Sequence, residues 1–110
     1  METALKAIAA PRRRAILRLV RDDELSAGEI ASHFGDVTRP AVSQHLTLLK
    51  EAGLVSERRN GTKRLYQARP EGMVELRAFL EEFWAPRLDA LKREAEREER
   101  EKRGTDNDDD

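Results

Sequence analysis

Pro40, Ser43, Gln44, Thr47 and Lys50 recur at intervals of three and four residues, the spacing that gathers side chains on one face of a helix. Arg39 stands at the margin of that face. Val42, Leu46, Leu49 and Gly53 fall on the opposite side, toward a core. The outer face is small, polar and cationic, as a helix entering the DNA major groove requires. Gln44 suits a bidentate pair with adenine and Arg39 one with guanine, while Ser43, Thr47 and Lys50 can reach phosphates or base edges. An ordinary solvated helix face would have the same composition. A second cationic group follows at once, with Arg58, Arg59, Lys63 and Arg64 around Asn60-Gly61. A basic hairpin tip can follow the phosphate backbone or enter the minor groove. It can also simply keep a hairpin edge soluble. The helix and the hairpin together match a known docking geometry.

Other candidates are weaker. Arg12, Arg13 and Arg14 open a helix, where positive charge opposes the dipole, so phosphate contact or a structural salt bridge is expected of at least one. His33 and His45 lie on different helices without a paired ligand spacing, so packing plus a hydrogen bond is expected of His45. No nucleophile motif, glycine-rich phosphate loop or metal-binding His-Glu pattern is present, and neither an enzyme nor a cofactor is expected.

The elements that must position these residues read as mainly α with a small β-hairpin, in the order α-α-α-α-β-β-α. Leu5 and Ile8 form a short apolar edge, Pro11 suits a first helical turn, and Ile16, Leu17, Leu19 and Val20 give a helical stripe. Leu25–Phe34 reads as a short helix with a Ser26/Glu29 capping box, stopped by Gly35. Thr38 caps the next helix, which Gly53 closes, making a helix-turn-helix. Leu54–Gln67 then shifts to hairpin character. A two-residue turn at Asn60-Gly61 pairs Glu57 with Arg64 and Val55 with Tyr66. Glu71–Arg103 is a long helical stretch, kinked or broken near Pro86. Its apolar stripe of Met73, Leu76, Leu80, Phe83, Trp84 and Leu88 exceeds what a small core can cover, which points to a homodimer with Leu5 and Ile8 contributing. Residues 1–92 are expected to form the DNA-binding and dimerisation domain. Residues 93–110 would be a charged helical extension, with a disordered acidic tail from Gly104.

The 110 residues carry a net charge of −1 and no cysteine, which excludes disulfides and thiolate metal sites. The charge is uneven. Met1–Pro70 holds 13 Lys/Arg against 8 Asp/Glu, and Glu71–Asp110 holds 8 against 14. The excess of positive charge coincides with the 38–69 span, which carries 7 basic and 2 acidic residues. No membrane-spanning run or signal peptide is read, so a soluble cytoplasmic protein is expected.

Thr38-Arg39-Pro40-Ala41-Val42-Ser43-Gln44-His45-Leu46 and Leu49-Lys50-Glu51-Ala52-Gly53-Leu54-Val55 resemble the arsenical-resistance repressor (ArsR/SmtB) family. So do Leu5–Leu17 and Leu25–Ala31, and the resemblance covers about Leu5–Leu91. It implies a winged helix-turn-helix homodimer that represses transcription from an inverted-repeat operator, with the first and last helices at the dimer interface. The chain lacks the cysteine site of the family's metal sensors and has no histidine on the last helix. It is thus similar to members outside the classical metal-sensing groups, whose inducers vary or do not exist. Release by an unidentified small-molecule or metal effector, or a winged-helix module that binds protein instead of DNA, are the alternative readings.

Overall fold

The computed structural model describes residues 1–108, with side chains at all of these except 85, 86, 88 and 104–108. The chain divides into two units, Met1–Leu76 and Arg77–Asp110. In the first, α1 (Glu2–Ala9) and α2 (Pro11–Leu19) lead to a short strand β1 (Leu25–Ser26) and the helices α3 (Ala27–Ser32) and α4 (Arg39–Glu51). Strands β2 (Val55–Asn60) and β3 (Lys63–Ala68) follow, then a 3-10 turn (Pro70–Met73) and the start of α5 (Val74–Asp108). The core of this unit is aliphatic: Ile16, Val20, Ile30, Val42, Leu46, Leu49 and Leu54 are all fully buried. Each such side chain contributes about 1.5–3 kcal/mol relative to exposure.

Local chemistry sets the boundaries. Ser26 and Glu29 form the expected capping box, each side chain accepting from the other's backbone N–H at 3.2 Å. Thr38 caps α4 by accepting from Ala41 N at 3.2 Å. At the far end Gly53 adopts φ +75°, and two bonds, Gly53 N–H to Lys50 O and Leu54 N–H to Leu49 O, close the helix. That is a Schellman cap, which needs a residue without Cβ at its left-handed position.

The sheet departs from the expectation in two ways. It has three antiparallel strands in the order β1-β3-β2, because Leu25 and Ser26 pair with Tyr66 and Leu65, Ser26 capping α3 at the same time. α3 is correspondingly short and ends at Ser32, before Gly35. The turn is also shifted by one residue and the cross-strand partners by two, with Asn60 opposite Lys63, Glu57 opposite Tyr66 and Val55 opposite Ala68. The turn is Gly61-Thr62. Gly61 takes φ +66° and no non-glycine residue among those described has a positive φ. A glycine-first turn suits a type II′ hairpin, whereas Asn60-Gly61 would have needed positive φ at both positions.

Arg13 and Arg14 serve α1. Their guanidinium groups donate to the carbonyls of Lys6, Ala7, Ile8 and Ala9, the four acceptors that the end of α1 leaves without helical partners. Arg12 pairs with Asp36 at 2.6 Å and lies over the Phe34 ring at 4.6 Å. The arginine triplet is therefore structural, and its helix-opening position is explained by the helix before it.

In the second unit α5 continues through position 86, so Pro86 does not split it; the side chain of Pro86 lies outside the described residues. The helix extends to Asp108, past the point where the sequence pattern places a disordered tail, and Asp109 and Asp110 lie outside the described residues. Arg97 pairs with Glu94 and Arg103 with Glu99 along its charged part. No described helix is long and apolar enough to cross a membrane.

Candidate nucleic-acid interface

All ten residues expected to contact DNA are exposed: Arg39, Pro40, Ser43, Gln44, Thr47 and Lys50 on α4, and Arg58, Arg59, Lys63 and Arg64 on the hairpin. The fold brings several of them together. Arg39, Ser43 and Thr47 face Thr62, Lys63 and Arg64 across an open cleft of about 610 Å³. Its floor includes Ser26, Gly28 and Glu29 from the start of α3. The Arg39 guanidinium lies close over Gly28, where an added Cβ would stand 3.8 Å from it. Gln44, Pro40, Lys50, Arg58 and Arg59 are exposed but lie outside that cleft.

The charges are already partly arranged. Glu57 accepts from Lys50 Nζ at 3.2 Å and stands 3.6 Å from Arg64 Nη1, so one carboxylate links α4 to both strands of the hairpin. The expected Glu57–Arg64 attraction is therefore present, but diagonally across the shifted register. Arg58 donates to Glu24 at 2.5 Å, and this bond holds its guanidinium above the ordinary arginine range. Tyr66 is half-buried against the core, and burial, then the neighbouring Glu57 charge, push its phenol up. Hydrogen bonds from Ser26, backbone first and side chain second, hold the Glu29 carboxyl below its usual range, with Lys63 adding to the effect. Thr47 donates its hydroxyl to the Ser43 carbonyl at 3.0 Å and keeps its oxygen's acceptor capacity.

His45 sits half-buried on the flank of α4, its Nδ1 3.4 Å from Arg13 Nη1. Burial, followed by the charges of Arg13 and Arg12, pushes its imidazole below the usual range. A guanidinium has no acceptor, so Nδ1 is the lone-pair nitrogen of a neutral ring in this contact. Among the described residues, no group of three or more histidines and carboxylates is gathered as a metal site would require.

The residues expected at a dimer interface divide. Leu80, Phe83 and Trp84 are exposed on α5, and Phe83 meets Phe79 edge-on with centroids 5.3 Å apart. Leu5 and Ile8 are half-buried, Ile8 against the core. Met73 also packs on the core, and Leu76 is only 6% exposed, so both are occupied within the chain instead of being left open. The Leu88 side chain lies outside the described residues.

A helix-turn-helix domain model matches residues 8–58. The regulator Rv2034 of Mycobacterium tuberculosis, an HTH-type transcriptional regulator, is 45% identical over 87 residues, covering 79% of this chain and 80% of its own. The chain belongs to the ArsR family of winged helix-turn-helix transcriptional regulators. Two further relatives bear on this ArsR-family chain. The transcriptional repressor SdpR of Bacillus subtilis is 43% identical over 61 residues, covering 56% of this chain and 67% of SdpR. The solution structure of Mb0332 from Mycobacterium bovis, a homodimeric winged helix-turn-helix DNA-binding domain and possible ArsR-family regulator, superposes with a TM-score of 0.61. It shares 34% identity and covers 73% of each chain.

Thr62, Glu24 and the placement of Glu57 were not among the residues singled out for this ArsR-family surface. Thr62 follows from assigning the turn to Gly61-Thr62. Glu57 carried a signal, since it is one of two acidic residues in an otherwise basic span. Glu24 carried none, because its partner Arg58 lies 34 positions away.

Proposed function

We propose that the chain binds duplex DNA sequence-specifically as a homodimeric repressor of an inverted-repeat operator, with α4 in a major groove and the β2–β3 wing along the flanking backbone. The observation that carries this reading is the common cleft, where the outer face of α4 and the inner side of the wing meet with Arg39, Lys63 and Arg64 on its walls. Gln44 and Arg39 read base edges; Pro40 lies against them at the helix start. Ser43, Thr47, Lys50, Arg58, Arg59, Lys63 and Arg64 hold phosphates or the margins of the groove. The exposed apolar residues of α5, with Leu5 and Ile8 of α1, join two copies, a reading supported by the homodimeric Mb0332 domain. Dimerisation sets the two α4 helices one helical turn of DNA apart. Residues 1–92 carry binding and dimerisation, residues 93–110 form a charged extension outside that domain, and the protein works in the cytoplasm.

Gel retardation with DNA from upstream of the gene itself tests this. The parent shifts that DNA at low salt, and Gln44→Ala weakens operator binding by about 1–3 kcal/mol while relaxing specificity at one base pair. Absence of a shift by the parent refutes DNA binding and favours a module that binds protein. Equal binding by parent and variant places recognition on another surface.

A further inference from the structure

Three of the cations in this interface are already engaged by carboxylates of the same chain. Glu57 holds Lys50 at 3.2 Å and Arg64 at 3.6 Å, with its own side chain only 17% exposed. Glu24 holds Arg58 at 2.5 Å. Among the described residues Arg39, Arg59 and Lys63 make no ion pair. The basic surface thus has an open part, Arg39, Arg59 and Lys63, and an occupied part, Lys50, Arg58 and Arg64.

A phosphate approaching Lys50 or Arg64 meets a fixed negative charge on the same donors. Exposed pairs of this kind add little to stability, and the 3.6 Å approach to Arg64 is too long for a hydrogen bond. The core of the first unit lies elsewhere, in its aliphatic cluster. What Glu57 does change is the electrostatic potential that a polyanion meets. Affinity for duplex DNA follows the effective number of positive charges presented to it, and this term is blind to sequence.

Resting on the DNA-binding reading above, we infer that Glu57, seconded by Glu24, is a built-in competitor with DNA phosphates for Lys50, Arg64 and Arg58, and holds sequence-independent binding below what the basic residues alone would give. Base contacts by Gln44 and Arg39 then decide a larger share of the difference between operator and other DNA. The two carboxylates act as specificity-determining residues without touching a base.

The test is fluorescence anisotropy with a short random-sequence duplex, titrated across a range of KCl, for the parent, Glu57→Gln and Glu24→Gln. Glutamine keeps the shape and removes the charge. One added effective charge steepens the log–log salt slope by about 0.9 and tightens binding about eightfold near 0.1 M salt. Glu71→Gln removes the same charge from a residue that makes no ion pair among those described, and is expected to gain less. Circular dichroism confirms the fold of each variant, and Glu24→Gln carries the test if Glu57→Gln is unfolded. If the parent binds the random duplex while the folded carboxamide variants bind it no tighter, or more weakly, the competitor is overturned and DNA binding stands. If the parent binds no duplex at low salt, the DNA-binding reading itself fails, and the competitor with it.

Discussion

Gly72→Ala is expected to be severely destabilising, and the structure says by how much. A Cβ built at Gly72 would stand 2.0 Å from the Gly53 carbonyl oxygen and 2.7 Å from its carbon. Both are backbone atoms, so no side chain can rotate away. Relief requires the 3-10 turn and the end of α4 to separate by more than an ångström. That separation acts on Gly53 N–H to Lys50 O, Leu54 N–H to Leu49 O and Arg69 N–H to Leu54 O, at 3.0, 2.9 and 2.7 Å. It also pulls on the fully buried Leu54. Losing two such bonds at about 1 kcal/mol each, with partial exposure of one leucine, comes to about 3 kcal/mol. Urea unfolding followed by far-UV circular dichroism measures it. Gly35→Ala serves as the reference, since nothing lies within 4 Å of its Cβ position and its φ is not positive. It should be neutral or slightly stabilising, because alanine restricts the unfolded chain. A loss below about 1 kcal/mol for Gly72→Ala would refute the reasoning that this contact is rigid.

Three further outcomes follow. Arg13→Ala with Arg14→Ala strips the acceptors at the end of α1 of their donors and should cost about 1–3 kcal/mol, read from the same urea midpoint. His45 has its folded pKa lowered, so the unfolded state binds the extra proton first: stability is full above the unfolded pKa and falls as pH drops through the folded one. His45→Gln should flatten this loss below about pH 6.5, measured as melting temperature against pH. Leu80→Asp, at an exposed position on α5, should give monomer in sedimentation velocity; a persistent dimer would move the interface off that face.

Much of the scaffold under the candidate site was legible because helix-capping chemistry is local. Ser26, Glu29, Thr38 and Gly53 each act within a few residues of themselves, and α4 with its two faces follows directly. What was not legible depends on partners distant in the chain. β1 exists only because Tyr66 and Leu65 lie beside Leu25 and Ser26, and a two-residue strand has no periodicity to read. The hairpin register turned on one dihedral choice, as Asn-Gly and Gly-Thr both offer plausible turns and only the second leaves Asn60 in extended backbone. The salt bridge expected of the arginine triplet is made by Arg12 with Asp36, but the use of Arg13 and Arg14 was not legible, because it lies in the carbonyls at the end of the preceding helix. Leu76 fitted an apolar stripe equally well as an open or a covered residue.

β1 is two residues long, yet its placement has a mechanical meaning. Ser26 pairs with Leu65 of the wing strand β3, the central strand of the sheet, and also caps α3. β3 is tied in turn to the end of α2 through Ala68 N–H to Val20 O at 2.8 Å. Wing and helix-turn-helix are thus the jaws of a calliper, with their opening preset before any duplex arrives. In the DNA-binding reading the duplex must conform to that gauge, and the bending energy of its intervening steps enters the choice of site. Base pairs that no side chain touches would then be selected by their stiffness.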